Sequence, residues 1–152
     1  MILEAVFPRS RFPARFEEMS APSMKKPASP SVLVVDDEAL IRWSLAESLS
    51  DAGYVVSEAG DGASAVVQAS DRKFDAIVLD YRLPDSNDLH LLETIRGLQP
   101  TAAVVMMTAF GTAEVTAGAL KLGAYRVVAK PFDVHDMVNL VAEAQESGGS
   151  HG

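Results

Sequence analysis

Val32-Leu33-Val34-Val35-Asp36-Asp37-Glu38 is the stretch on which the reading of the fold turns. Four consecutive apolar residues, three of them β-branched, run straight into three acids. A short unbroken apolar run fits a strand covered on both faces, whereas a strand with one wet face alternates. The signature recurs outward along the chain in Tyr54-Val55-Val56, in Asp75-Ala76-Ile77-Val78-Leu79-Asp80, from Ala102 to Met107 and from Tyr125 to Ala129. Between these runs lie segments of helical period. Ala39 to Ala52 carries Leu40, Ile41, Leu45 and Leu49 with Trp43 on the flank, and Asp61 to Arg72 sets Ala65, Val66 and Ala69 on one side. Asn87 to Leu98 presents Leu91, Leu92 and Ile95, with Ser86 or Asn87 placed to start it. Thr112 to Leu122 follows, and Asp133 caps a last helix through about Glu146. Gly53 and Gly123 stand where helix C-terminal glycines belong.

The strand starts near 32, 54, 75, 102 and 125 are each separated by the length of one strand, one helix and two short loops. The predicted fold is therefore α/β: five β/α units forming a five-stranded, doubly wound parallel sheet with helices on both faces. Such sheets bind ligands at the carboxyl ends of their strands.

Composition agrees with one soluble domain. The chain has 152 residues, 48% hydrophobic and 22% charged. It has no cysteine, which excludes a disulfide scaffold, thiol catalysis and cysteine-ligated metals. The longest apolar run is too short to span a membrane, and residues near the N-terminus lack a signal-peptide core, so a cytoplasmic location is expected. The net charge of −8 is uneven: residues 1–30 carry a small positive excess and the remainder is strongly acidic. An acidic body gives no electrostatic footprint for direct nucleic-acid contact. Residues 1–30, rich in proline, are expected to form a disordered extension, 31–146 the domain, and 147–152 a flexible tail.

The strand ends carry the chemistry. They offer Asp36-Asp37-Glu38, then Asp80, then Thr108, then Lys130-Pro131. Clustered carboxylates repel one another, and a hard divalent cation relieves the repulsion. An all-oxygen donor set favours Mg²⁺, with Mn²⁺ as a substitute, over zinc. A carboxylate can take a phosphoryl group as an aspartyl phosphate, Lys130 can neutralise the new charge, and the Thr108 hydroxyl can donate to it.

On these residues, Val34-Val35-Asp36-Asp37-Glu38, Ile77-Val78-Leu79-Asp80 with Leu83-Pro84, Met107-Thr108-Ala109 and Lys130-Pro131-Phe132, the chain from Ser31 to about Gln145 resembles the CheY-like receiver domain of two-component response regulators. Ile41-Arg42-Trp43-Ser44-Leu45 and Thr108-Ala109-Phe110-Gly111-Thr112 resemble most closely the receivers of sigma-54 activators of the NtrC type. The resemblance implies a flavodoxin-like fold with Asp80 as phosphoacceptor. It implies Mg²⁺ held by Asp36, Asp37, Asp80 and the Arg82 backbone carbonyl. Thr108 and Lys130 would bind the phosphoryl group, and the Lys130–Pro131 bond would be cis. It further implies a histidine kinase or phosphotransfer protein as donor, a downstream protein as target, and residues 112–146 as the readout face, for a homodimer or a heteromeric contact. The ATPase and DNA-binding domains that usually follow NtrC-type receivers are not in this sequence, so a single-domain receiver is expected. It would be no enzyme beyond catalysing its own phosphorylation and dephosphorylation.

The sequence departs from the pattern at Val127, where the family usually has an aromatic three residues before the lysine. Valine cannot make the usual inward swing. Tyr125, two residues earlier, is expected on the same strand face; either it or a shift of Thr112–Leu122 would report phosphorylation instead, with simple packing the favoured reading of Tyr125. Asp88 stands where the family favours glycine. Arg82 and Phe110 occupy positions that tune phosphoryl lifetime. Phe110 is expected to obstruct water and Arg82 to pair with phosphate or a neighbouring acid, giving slow hydrolysis, while the small Ala109 leaves the donor room. His90, His135 and His151 are read as solvent-exposed. A haloacid-dehalogenase-like phosphatase would need an acid at position 82, and a flavodoxin-like cofactor site would need a phosphate-cradling loop after the first strand. A degenerate receiver acting only by protein contact is the alternative that Val127 leaves open.

Overall fold

The computed structural model describes residues 29–151, with side chains described through Ser147. Five strands, β1 (Ser31–Val35), β2 (Val55–Ala59), β3 (Ala76–Asp80), β4 (Ala103–Thr108) and β5 (Arg126–Ala129), alternate with five helices. The helices are α1 (Ala39–Asp51), α2 (Gly62–Asp71), α3 (His90–Leu98), α4 (Ala113–Lys121) and α5 (Val134–His151). The strands form one parallel sheet in the order β2-β1-β3-β4-β5. The predicted doubly wound (βα)5 architecture is the one observed.

Alternate strand residues feed two apolar layers. Leu33, Val35, Ile77, Leu79, Val104 and Met106 meet α2, α3 and α4, chiefly Ala65, Ala69, Leu91, Leu92, Ile95 and Ala119. Val32, Val34, Val78, Val105 and Met107 meet Leu45 and Leu49 of α1 and Met137, Val141 and Ala144 of α5. β3 and β4 are buried along their whole length, which explains their unbroken apolar runs. Burying a Val, Leu or Ile stabilises by roughly 1.5–3 kcal/mol, so these central strands anchor the domain.

Several boundaries move from the sequence expectation, each for a local reason. β2 runs on through Ser57, Glu58 and Ala59 because it is a sheet edge and tolerates polar residues; Val55 there is 55% exposed. α3 starts at His90, not Asn87, and the Asp88 carboxylate, rather than Ser86 or Asn87, accepts the His90 amide at 2.9 Å. Leu40, grouped with the core of its helix, is 75% exposed, because the buried stripe of α1 is Leu45, Ala46 and Leu49. α5 continues to His151, beyond the expected end near Glu146. Asp133 does cap it, accepting the amides of His135 and Asp136 at 2.8 and 3.1 Å. Gly53 and Gly123 both have φ near 103°, the left-handed turn that ends α1 and α4. His90 and His135 are exposed as expected. The expected extension falls, for residues 1–28, outside the described residues, as does the side chain of His151.

One buried polar residue escaped the sequence reading. Gln99 is 5% exposed; its Nε2 donates to the carbonyls of Ala69 and Arg72 at 2.8 and 2.6 Å, and its Oε1 accepts the Phe74 amide at 3.0 Å. It closes the C-terminus of α2 onto the entry to β3. Gln99→Ala is expected to cost about 2–3 kcal/mol, because it leaves these buried backbone groups without partners. A urea denaturation midpoint equal to that of the wild type would refute this account.

Candidate functional site

Strand register assembles the site. Val35 lies beside Leu79, so Asp36, the next residue, emerges beside Asp80. Asp80 pairs with Met107, and Thr108 pairs with Ala129, so Thr108 and Lys130 complete the same carboxyl-end rim. The sheet order places β1 next to β3 and sends β2 the other way, so the rim lies where the winding reverses.

Lys130 is the hub. Its ammonium donates to Asp36 Oδ2 at 2.8 Å, Asp80 Oδ2 at 3.0 Å and Glu38 Oε1 at 3.3 Å. All three of its N–H donors have carboxylate partners. Burial lowers the Lys130 pKa, but the hydrogen bonds and charges of Asp36 and Asp80 outweigh it, and the net shift is upward. The ammonium therefore stays charged. The Lys130–Pro131 bond is cis, as expected.

Asp36 is fully buried and fully bonded. Its Oδ1 accepts the Glu38 amide at 2.8 Å, its own amide donates to Ala59 at 3.1 Å, and its carbonyl accepts Arg42 Nη1 at 2.7 Å. Asp37 is exposed. Asp80 is 5% exposed and its Oδ1 accepts the Arg82 amide at 3.3 Å. Burial pushes the Asp80 carboxyl up to about 6; the Lys130 hydrogen bond opposes this, the Asp36 charge adds to it, and the Lys130 charge and the Arg82 amide oppose it.

Oxygen atoms of Asp36, Asp37 and Asp80 lie within 4.8 Å of one another. Three carboxylates that close, with neither histidine nor cysteine among them, suit a hard divalent cation. The predicted metal residues are thus brought together. Of Arg82, the structure shows the amide donating to Asp80 Oδ1.

Thr108 is buried; its Oγ1 accepts the Phe110 amide at 3.1 Å, leaving the hydroxyl proton available to donate. Gly111 lies so close to the Thr108 methyl that a Cβ there would come within 2.9 Å. Ala109 is exposed at the mouth of the site. The Arg82 guanidinium lies 5.2 Å from the centroid of the Phe110 ring, a cation–π distance. Arg82 therefore stacks on Phe110 rather than pairing with an acid, so the two residues expected to tune phosphoryl lifetime touch. Beside Lys130, a groove of about 480 Å³ runs between Leu40 and Ile41 of α1 and Phe132 and Val134.

One expectation is overturned. Val127 packs into the α2–α4 layer, but Tyr125 packs into the opposite, α1/α5 layer. Tyr125 precedes β5, so strand alternation does not extend to it. Its hydroxyl donates to Glu143 on α5, which also pairs with Arg126 at 3.3 Å. Tyr125 is a packing residue and shares no face with Val127. Two residues given no role of their own by sequence reasoning also reach the site: Glu38, through Lys130, and Arg42, through the Asp36 carbonyl. Only Glu38 left a signal, as the third acid of its triplet.

Residues 32–142 match the response regulator receiver domain family. The chain belongs to that family. The receiver is 34% identical over 114 residues to the DNA-binding transcriptional regulator NtrC of Bradyrhizobium sp., a match covering 75% of this chain and 24% of that protein. It is 37% identical over 108 residues to the transcriptional regulatory protein PdtaR of Mycobacterium tuberculosis, covering 70% of this chain and 52% of that one. It thus spans between a quarter and about half of the length of these curated relatives. A solution structure of the beryllofluoride-activated NtrC4 receiver domain dimer superposes with a TM-score of 0.73 at 32% identity, covering 78% of this chain and 98% of that one. Among the described residues, no helix of the receiver is long and apolar enough to cross a membrane.

The Asp80 shift sets a pH dependence. Between its usual value of 3.8 and about 6, the folded receiver keeps a proton on Asp80 that the unfolded chain has lost. Stability contributed by this group therefore falls as pH rises through that window. In metal-free buffer, raising the pH from about 5 to about 7.5 should favour Asp80→Asn over the wild type by a further 1–2 kcal/mol, roughly. A stability difference that stays constant between the two pH values, measured by urea denaturation, would rule this out.

Proposed function

We propose that the receiver takes a phosphoryl group onto Asp80 from a histidine kinase or phosphotransfer protein, in the cytoplasm, and passes the signal to a downstream protein. The observation that carries this reading is the placement of Asp80, Asp36, Thr108 and Lys130 on one rim, with Lys130 bonded to both aspartates. In the proposed step an Asp80 carboxylate oxygen attacks phosphorus, the donor's phosphorus–nitrogen bond breaks, and the donor imidazole leaves with the bonding electron pair and takes up a proton. Asp36, Asp37, Asp80 and the Arg82 carbonyl would hold Mg²⁺, or Mn²⁺ in its place. Bound there, the cation supplies charge neutralisation for the phosphoryl oxygens. Lys130, already cationic and preorganised, neutralises the product, and the Thr108 hydroxyl donates to it. The groove beside Lys130, lined in part by the small Ala109, would give the phosphodonor room beside the site.

With Val127 too short to swing, the reading gives the switch to Thr108 and the turn that follows it. A shift of Thr108 draws Phe110 and Gly111, and so the start of α4. The readout face is assigned to residues 112–146, where a homodimer or a heteromeric partner would dock. Nucleic acid is not a proposed partner, since the acidic body would repel it.

The test is incubation with Mg²⁺ and acetyl phosphate, followed by mass measurement of wild type and Asp80→Asn. The wild type should gain one phosphoryl group and Asp80→Asn none; a wild type that stays unmodified, or labelling retained in Asp80→Asn, would overturn the assignment. The stacked Arg82–Phe110 pair shields the phosphoryl group from water, so the phosphorylated receiver should last minutes or longer, and Phe110→Ala should shorten that lifetime. Decay of the wild type within seconds would contradict the shield. Tyr125→Ala should respond to beryllofluoride as the wild type does, because its ring lies in the other layer; a lost response in its NMR spectrum would restore a switching role to Tyr125.

A further inference from the structure

Arg42 has no part in the chemistry just described, yet its guanidinium bridges two elements beside the acidic pocket. Nη1 donates to the Asp36 carbonyl at 2.7 Å, and Nε donates to Glu58 Oε1, at the end of β2, at 3.1 Å. The niche is tight: a Cβ on Gly60 would come within 3.3 Å of Nη1. Glu58 is itself tied down, since its backbone carbonyl accepts Gln68 Nε2 from α2 at 2.8 Å. The Arg42 side chain is about three-quarters covered, 23% exposed.

The Asp36 carbonyl and the Asp37 amide belong to one planar peptide unit. Holding that carbonyl restrains the orientation of the shared plane, and with it the backbone from which the Asp36 and Asp37 side chains depart. For Asp36 this is one restraint among several. Asp37 is exposed, and core packing does not set its direction. Asp37 also stands beside two other acids, whose repulsion favours spreading the turn. We propose that Arg42 is a positioning residue for the cation pocket: through the Asp36 carbonyl it holds Asp37 in the geometry that captures Mg²⁺. This rests on the reading of Asp36, Asp37 and Asp80 as the metal-holding residues. The Arg42–Glu58 pair is neutral as a whole, so it orders the turn without adding net charge near the cation.

Position and charge predict opposite signs, which makes the proposal testable. If Arg42 acted only as a nearby cation, Arg42→Ala would bind Mg²⁺ more tightly and Arg42→Lys would match the wild type. If it positions the turn, Arg42→Ala weakens Mg²⁺ binding. Arg42→Lys fails to restore it, because one ammonium cannot span both partners as the guanidinium fork does. Residues one step removed from a metal typically cost 10–100-fold in affinity when lost, and the expected loss for Arg42→Ala is about tenfold.

The experiment is calorimetric titration of the full chain with MgCl₂, using wild type, Arg42→Ala, Arg42→Lys and Asp37→Asn. Binding by the wild type that Asp37→Asn abolishes supports the pocket assignment. Against that background, weakened binding by Arg42→Ala and Arg42→Lys supports the inference, and unchanged or tighter binding by Arg42→Ala overturns it. Acetyl phosphate labelling of Arg42→Ala should also recover toward the wild-type level at saturating Mg²⁺; a deficit that persists would overturn a role through cation capture. Should Arg42→Ala fail to fold by circular dichroism, Arg42→Lys, which keeps the charge and loses the fork, decides: weakened binding supports the inference and wild-type binding defeats it. A wild type that binds no Mg²⁺, or Asp37→Asn that binds as the wild type does, would overturn the pocket assignment and the inference with it.

Discussion

The ammonium of Lys130 comes from the end of an edge strand and reaches past β4 to carboxylates at the ends of β3 and β1, 3.0 and 2.8 Å away. Bringing Asp36 and Asp80 together out of water is unfavourable by both desolvation and mutual repulsion. The lysine makes that arrangement tenable, and it ties residues separated by 94 positions in the chain. Removing one partner of such a buried cluster typically costs about 3–5 kcal/mol, because a charge is left uncompensated. Asp80 carries the residual strain of the arrangement as its raised pKa, with burial opposing the charged form more strongly than any single partner favours it. The site is thus stable enough to exist and unsatisfied enough to accept further positive charge.

Much of this was legible in the sequence, and the reasons are physical. Parallel strands covered on both faces cannot alternate polar and apolar residues, so β1, β3 and β4 stand out as solid runs. Because ligands collect at the carboxyl ends of such strands, the residues just after the runs named the site. Asp36, Asp37, Asp80, Thr108 and Lys130 all follow from that one rule. The edge strand β2 was half-hidden, since Ser57 and Glu58 face a wetter environment and broke the apolar signal.

Other features had no local signature. Arg42 acts on a carbonyl six residues back and on an acid at the end of the next strand, and neither contact is implied by helical spacing. Gln99 serves backbone groups 25 to 30 positions away. Tyr125 shows where periodicity misleads. Two-residue alternation assigns faces only inside a strand, and this residue lies one position before β5 begins, so its ring turned to the other layer. The Arg82–Phe110 stack likewise joins two loops that only the folded sheet brings side by side.

The closeness of Gly111 to the Thr108 methyl has a mechanical consequence. The space that any other side chain needs is taken at this position. One residue later the Thr112 hydroxyl oxygen accepts the Val115 amide at 3.1 Å and starts α4. Three residues separate the buried end of β4 from the residue that caps α4. Glycine at position 111 therefore sets how closely that short link can fold back over Thr108, and any larger side chain there would push on the threonine methyl.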